Sequence, residues 1–368
     1  MNNFSNYYKN IDKILLLVMG LLAFISVLMI GSTTIHAEGF FSRSVIVQAA
    51  AYLLGILLSL ILLRFPYTAF LGMEKILYAL SILLLLTVYI PGLGVEIFGA
   101  RSWIDLGFTT IQPSELVKLL YVLILAGYLE QHRDELYNFK CLIKSAMVAA
   151  PIILVVLKED LGSALVFAFV WVVMVFFAGI DIKAFLKFFA LVLAAIPIAY
   201  VFMADYQKER IEAFLHPDNL NLSGNYQVWQ SKIAIGSGGL TGKGLFQGTQ
   251  KELDFVPVQS SDFIFSVIGE ELGFLGGALV IGLLGILLIR MMRVLQNSLD
   301  FYGALIVAGF IGMFTFQIFE NIAMAMGLMP VTGITLPFLS YGGSSILSNV
   351  LCVGVVMNVA VRSVRINF

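Results

Sequence analysis

The chain has 368 residues, 60% of them hydrophobic and 12% charged, with mean hydropathy +0.96 and a formal net charge of −1. That composition excludes an ordinary soluble domain and defines the multi-span membrane class. The near-neutral charge gives no reason to expect nucleic acid, and two cysteines without metal or redox spacing, Cys141 and Cys352, exclude a disulfide framework.

Apolar segments long enough to cross about 30 Å of hydrocarbon fall at about 14–34, 45–64, 75–93, 113–130, 142–158, 161–179, 184–203, 263–290, 302–326 and 344–361. They predict an all-α polytopic membrane protein: ten transmembrane helices in one domain over 1–368, with a large extracytoplasmic loop at about 204–262 between helices seven and eight. The first segment is too long for a signal-peptide core, and Ile35-His36-Ala37 is a poor cleavage site, so it reads as a membrane helix. Lys and Arg set the orientation. With the N-terminus inside, Lys9, Lys13, Arg64, Lys75, Arg133, Lys140, Lys144, Lys183, Lys187, Arg290, Arg293, Arg362 and Arg365 fall on the cytoplasmic side. Short outer loops hold only Arg43, Arg101 and Lys158. Both termini are therefore expected inside and the 204–262 loop outside.

On that topology the chemically interesting residues share one side. Arg101, Trp103 and Asp105 precede span four, where Gln112-Pro113-Ser114-Glu115 makes a helix start with Pro at the first position and an anion in the first turn. Lys118 follows Glu115 on the same face, about 4.5 Å deeper. Ionisable groups at that depth normally face the bundle interior or a wet cavity. The pair either holds helices together or belongs to a polar site, and the company of Lys158, Glu159, Asp160, Arg210, Lys243 and Asp262 on the same side favours the site.

The run Gly236-Ser237-Gly238-Gly239-Leu240-Thr241-Gly242-Lys243-Gly244 is not a P-loop: Ser237 stands where the first Gly is needed and Gly244 where Ser or Thr is needed. It reads as a close-packed re-entrant loop. Upstream, Tyr226, Trp229 and Ile233 recur at helical spacing opposite Gln227, Gln230 and Ser231, which suits either an amphipathic helix on the outer interface or loop packing. Asp262, beside Ser260 and Ser261 and just before an apolar run, is either the N-cap of span eight or a partly desolvated base. Glu270 and Glu271 lie about 80° and 180° around the helix from it, so at least one should pair with another helix. His36, His132 and His216 have no metal-ligand spacing.

These residues fall in motifs that resemble the SEDS family of cell-wall proteins (shape, elongation, division and sporulation). The motifs are Gly99-Ala100-Arg101-Ser102-Trp103-Ile104, Gln112-Pro113-Ser114-Glu115 with Lys118, Asp160-Leu161-Gly162, and Gln230-Ser231-Lys232-Ile233-Ala234-Ile235-Gly236-Ser237-Gly238-Gly239. They continue with Asp262-Phe263-Ile264-Phe265, Gly269-Glu270-Glu271-Leu272-Gly273, Pro330-Val331-Thr332-Gly333, Leu336-Pro337-Phe338 and Ser340-Tyr341-Gly342-Gly343-Ser344-Ser345. The short tails and Gly327-Leu328-Met329-Pro330 look most like the elongation member, with division and sporulation members close. Two positions depart from the family pattern: Ser102 stands where Arg is frequent before the Trp, and Ser260-Ser261 where His-Thr is frequent before the Asp.

The resemblance implies a peptidoglycan glycosyltransferase in the bacterial cytoplasmic membrane. It polymerises lipid II onto a growing glycan strand at the outer face and works with a class B penicillin-binding protein. Asp262 matches the family's essential aspartate, and Arg101, Trp103, Glu115, Lys118, Asp160, Arg210, Lys243, Ser340 and Ser344 are the candidate substrate-binding or supporting residues. The residues agree with that chemistry. An enzyme outside the membrane cannot draw on ATP, so its donor must carry its own leaving group, and a polyprenyl pyrophosphate does. The transfer needs a base for the acceptor hydroxyl and positive charge on the departing pyrophosphate. The sequence identifies no cofactor with certainty; a divalent cation, Mg or Mn, is compatible with the leaving group although no ligand cluster stands in the sequence. Two rivals are a lipid II flippase and a non-catalytic scaffold for the penicillin-binding protein; a transporter would place its ionisable residues near the midplane on broken helices.

Overall fold

A computed structural model describes residues 11–97, 100–107, 109–136, 138–222, 224–253, 255 and 257–363. Lys9, Gly99 and Arg365, used above, lie outside the described residues. Helices stand at all ten expected positions: α1 Lys13–Glu38, α2 Arg43–Leu62, α3 Glu74–Leu86, α4 Pro113–Gln131, α5 Phe139–Glu159, α6 Leu161–Phe177 and α7 Ile182–Phe202 before the large loop, and three more after it. The loop itself folds as α8 Asp205–Leu215, α9 Asn225–Ser237 and the single turn α10 Thr249–Glu252; the last three spans are α11 Ile264–Gln296, α12 Phe301–Ala325 and α13 Gly343–Arg362. Six of these, α1, α2, α5, α11, α12 and α13, are long and apolar enough to cross a membrane. Local chemistry starts them: Asp12 accepts from the amides of Ile14 and Leu15, Ser42 from Val45, and Asp300 from Gly303.

Burial sorts the bundle into centre and rim. In their spanning windows 83% of α13 and 72% of α12 is buried, against 33% of α2 and of α5, so α12 and α13 lie at the centre, together with the largely buried α4, and α2 and α5 lie at the rim. Bare backbone lets α13 lie close on α2: a methyl at Gly55 would stand 2.9 Å from Val350 Cβ, and one at Gly354 2.4 Å from Ser59 Oγ. Cys141 and Cys352 are buried free thiols that act as apolar filler.

Three features differ from the sequence expectation. The segment before span four is an antiparallel sheet of β1 Gly94–Ile97, β2 Ala100–Asp105 and β3 Thr110–Ile111, in which Val95 faces Trp103 and Ile104 faces Ile111. These strands are too short for a period to announce them, but their Val, Ile and Trp content suits a pleated surface. Span three, expected over 75–93, ends as an α-helix at Leu86 and tightens into a 3₁₀ turn at Thr87–Tyr89. Span eight is broken: Gly273 sits at φ 66° and ψ −162° inside α11.

The break explains the glycine-rich loop. Opening α11 at Gly273 frees backbone groups that a membrane environment cannot leave unpaired. The amides of Phe274 and Leu275 donate to Gly239 and Leu240, while the amides of Lys243 and Gly244 donate to the carbonyls of Glu270 and Glu271, at 2.9–3.1 Å. A methyl at Gly242 would fall 2.0 Å from the Glu271 carbonyl oxygen, so the loop can approach only bare. The two glutamates are neutralised nearby, Glu270 by Lys243 at 2.7 Å and Glu271 by the buried Lys251 at 2.6 Å, with the Ser32 hydroxyl donating to the same Glu271 oxygen. Both are therefore paired in the scaffold.

Candidate active site

A cavity of about 270 Å³ opens where α4, α6, β2, the segment 258–262 and the segment 332–345 meet. Trp103, Glu115, Lys118, Asp160, Arg210, Asp262 and Ser344 all line it, although they come from well-separated parts of the chain.

Asp262 is not a helix cap. The residue flanking α11 is Phe263, no side chain caps that end, and the helix begins at Ile264. The Asp262 carboxyl turns to the cavity instead, with a hydrogen bond from Ser261. Burial raises its pKa from the ordinary carboxylate value to about 6, against the opposing pull of the Ser261 hydrogen bond and of Arg210. Its backbone is clamped: Asn321 on α12 donates to the carbonyls of Asp262 and Ile334, both at 2.8 Å, and Tyr341 donates its amide to Ser260 at 2.8 Å.

The opposite wall is α4. Pro113 starts the helix, and Glu115 accepts from the Lys118 ammonium at 2.8 Å with both side chains buried. The second oxygen of Glu115 has no protein partner among the described residues. Asp160 caps α6 by accepting from the Ser163 amide at 3.0 Å and hydroxyl at 2.6 Å, and it also accepts from the Gln112 side chain at 2.9 Å. The backbone amide of Gln112 donates to Ser344 Oγ at 3.3 Å, which ties α4 to the start of α13. Arg210 reaches in from α8 and donates to the Thr332 carbonyl at 3.0 Å.

Three expected site residues stand elsewhere. Arg101 lines a separate, smaller cavity beside Tyr89 and Pro113; its guanidinium donates to the Gly94 carbonyl at 3.4 Å. Ser102, at the departing motif position, lines both cavities, so the strand register turns the serine and not the arginine toward Asp262. Lys243 lies outside the cavity because Glu270 and the Thr249 hydroxyl hold it, each at 2.7 Å. Ser340 is a brace: it donates to the Ser261 carbonyl and accepts from the Leu336 amide at 2.8 Å.

The site also contains residues absent from the expected set. Gln317, Glu320 and Asn321 on α12 are fully buried, and Gln317 lines the cavity. Both amide atoms of Gln317, one oxygen of Glu320 and the side-chain oxygen of Asn321 have no protein partner among the described residues. Thr332 donates its hydroxyl to the other Glu320 oxygen. The sequence carried a signal for them: polar residues at i, i+3 and i+4 in an apolar span put a wet stripe on one helix face. They stand inside span nine rather than in an outer loop. Among the described residues no group of three or more His, Cys, Asp or Glu side chains is placed to hold a metal ion.

A bundle of apolar helices enclosing a polar cavity, walled by a partly desolvated carboxylate, a buried lysine and an arginine, defines a polytopic membrane protein. Comparison with known proteins narrows that class. The sequence pattern of the FtsW/RodA/SpoVE family, described as cell cycle protein, matches residues 10–365. The chain is 37% identical over 309 residues to stage V sporulation protein E of Bacillus subtilis (strain 168), covering 83% of this chain and 84% of that one. It is 32% identical over 351 residues to the peptidoglycan glycosyltransferase MrdB of Escherichia coli (strain K12), covering 95% and 93%. Among solved structures it resembles a chain of a peptidoglycan synthase complex that coordinates polymerization and crosslinking, at TM-score 0.81 and 32% identity, covering 95% of this chain and 97% of that one. It also resembles the crystal structure of the rod shape determining protein RodA of Thermus thermophilus, at TM-score 0.68 and 31% identity, covering 95% and 96%. The chain belongs to the SEDS family.

Proposed function

We propose that this SEDS protein, a peptidoglycan glycosyltransferase like its named relatives, polymerises lipid II at the outer face of the cytoplasmic membrane with Asp262 as general base. Supporting this reading are ten helices at the ten expected positions and the Lys and Arg bias that puts both termini inside. The observation that carries it is the Asp262 carboxyl: it faces a cavity, caps nothing, and is desolvated enough to raise its basicity. In the reaction, Asp262 takes the proton of the acceptor 4-hydroxyl as that oxygen bonds to the donor's anomeric carbon. The bond from that carbon to the pyrophosphate breaks, the electron pair leaves with the phosphate oxygen, and the configuration inverts. Lys118 and Arg210 supply positive charge along the path of the leaving group, and Glu115 holds Lys118 in place. A divalent cation on the pyrophosphate would take its ligands mainly from phosphate oxygens, with Glu159 and Asp160 among the carboxylates that line the cavity.

The partner is a class B penicillin-binding protein, engaging through a transmembrane helix on the lipid-facing surface and a domain on the outer loops. The solved peptidoglycan synthase complex supports such an assembly. Undiminished pull-down after deletion of the partner's transmembrane helix would count against that arrangement. The Gly327-Leu328-Met329-Pro330 motif supports a role in cell elongation. The flippase reading gains from the broken α11, a feature of transporters, but protein fills that break. Purified protein with its partner and lipid II in detergent decides the matter: glycan polymer on a gel supports the transferase, and transbilayer movement of lipid II without polymer supports the transporter.

A further inference from the structure

A second cavity of about 210 Å³ adjoins the first and shares one residue with it, Arg210. Its walls come from α8, α9 and the segment 327–331, with Phe214, Trp229, Lys232, Met329 and Val331 beside Arg210. Lys232 belongs to a sequence motif that the Asp262 cavity leaves unused.

The cavity is built into the fold. α9 buries Gln230 and Ser231 and turns Tyr226 and Trp229 outward at 40% and 44% exposure, so its polar face is on the protein and its aromatic face is free. The Ser231 hydroxyl donates to the Ala325 carbonyl at 2.7 Å, fixing α9 to the end of α12. Immediately after α12, Gly327 adopts φ 75°, and a methyl there would fall 3.5 Å from the Lys232 ammonium. The bare left-handed turn thus leaves a trough in which the lysine stem lies. Among the described residues no carboxylate is recorded within ion-pair distance of Lys232. By contrast, Lys118 in the first cavity already has its carboxylate.

We infer that this second cavity is a separate subsite for a polyprenyl-diphosphate saccharide, the second of the two lipid-linked molecules that the proposed transfer must hold at once. The inference rests on the transferase reading for its need of two substrates, and on Lys232, Trp229 and the Gly327 trough for its place. A diphosphate fits between an ammonium and a guanidinium, which bind it as a point charge and a planar donor fork. The exposed Trp229 and Phe214 give flat faces for the sugar or the first isoprene units. The floor of Met329 and Val331 is apolar. Because Arg210 borders both chambers, diphosphates bound on its two sides would bring their sugars together near Asp262.

The test uses the full chain with its partner. Replacing Lys232 by Gln should raise the KM for lipid II about tenfold, the loss of one charge-assisted contact, with kcat nearly unchanged, and Lys232→Arg should restore it. Binding is read without turnover in Asp262→Asn protein in phosphatidylcholine nanodiscs titrated with farnesyl diphosphate. Two equivalents are expected, falling to one when Lys232→Gln is added and returning to two with Lys232→Arg. One equivalent in the Asp262→Asn protein, or two that ignore Lys232, would overturn the subsite. If the wild-type protein makes no polymer while binding still steps from two to one, the transferase reading falls and the subsite stands. Polymer formation with Lys232-independent binding removes the subsite alone.

Discussion

Two charged clusters stand beside the first turns of α11, and they are organised in different ways. Around the break in α11, each cation has its own carboxylate: Lys243 holds Glu270 and Lys251 holds Glu271, and the glycine-rich loop seals the opened backbone. Around Asp262 the accounts stay open. Glu115, Gln317, Glu320 and Asn321 each keep at least one buried polar atom without a protein partner, and the Asp262 carboxyl faces the cavity. Buried polar groups are normally satisfied, so the unpartnered atoms of Glu115 and Gln317, which line one cavity, mark where a polar ligand belongs. Charge alone does not separate scaffold from site in this protein, and neither does saturation alone, since one oxygen of Glu271 and that of Gln250 also lack a protein partner; facing the cavity does.

The largest expected effect lies on the open cluster. Asp262→Asn should lower polymerisation by about 10²- to 10⁴-fold, since an amide cannot take the hydroxyl proton. The variant should melt at a higher temperature than wild type at pH 7. The sign follows from linkage: a carboxyl raised to about 6 binds its proton more readily in the folded state. Its ionisation therefore destabilises the fold as pH rises from about 4 through 6. The melting difference should accordingly vanish near pH 4, and wild-type kcat/KM should fall about tenfold per unit below about pH 6. An Asn variant that polymerises normally would return Asp262 to a structural role.

The closed cluster should fail by unfolding. Lys251→Met leaves Glu271 fully buried and unpaired, a loss of about 3–5 kcal/mol. Adding Glu271→Leu should recover most of that stability together with activity, because no charge then remains to be neutralised. Melting and polymerisation of the single and double variants, measured side by side, check this. A double variant that is stable yet inactive would put Glu271 in the chemistry.

The Glu115–Lys118 pair should behave differently from that scaffold pair although both are buried ion pairs. Glu115→Ala and Lys118→Ala should each abolish most activity, and the isosteric double Glu115→Gln, Lys118→Met should fold yet remain poorly active, with the loss in kcat. Wild-type rates in this double variant would place the pair with the closed cluster. The smallest effect is expected for Lys243→Gln, about 1–3 kcal/mol, because Glu270 is buried but keeps other donors. Its side chain is 26% exposed, and Glu270 retains the Gln250 amide at 2.9 Å. An unchanged KM for lipid II would confirm that Lys243 does not touch the pyrophosphate.

Membrane helices announced themselves by length and apolarity, because each must satisfy its own backbone in hydrocarbon. The Glu115–Lys118 pair was legible for the same reason, as charge at a depth where charge is costly. What sequence could not resolve was which of several neighbouring charges neutralise one another. Lys243 looked like an anion ligand until the break at Gly273 brought Glu270 beside it, and a break of that kind depends on a loop docking from outside the helix. Arg101 and Ser102 differ by one residue, and in a strand one residue reverses the face. The sheet that sets their register comprises four, six and two residues, too few for alternation to be read.

The docked glycine loop also fixes an order of assembly. The chain from Gly236 to Gly244 is made before α11, so the carbonyls of Glu270 and Glu271 to which its amides bond do not yet exist when it is synthesised. The turns of α11 around Gly273 therefore stay incompletely bonded until the loop docks on them. Backbone amides at Phe274 and Leu275 would then be among the last in the molecule to gain protection from hydrogen exchange, although they sit in its longest helix. A long helix usually closes its own backbone; here a break near the start of the longest one is closed by a loop.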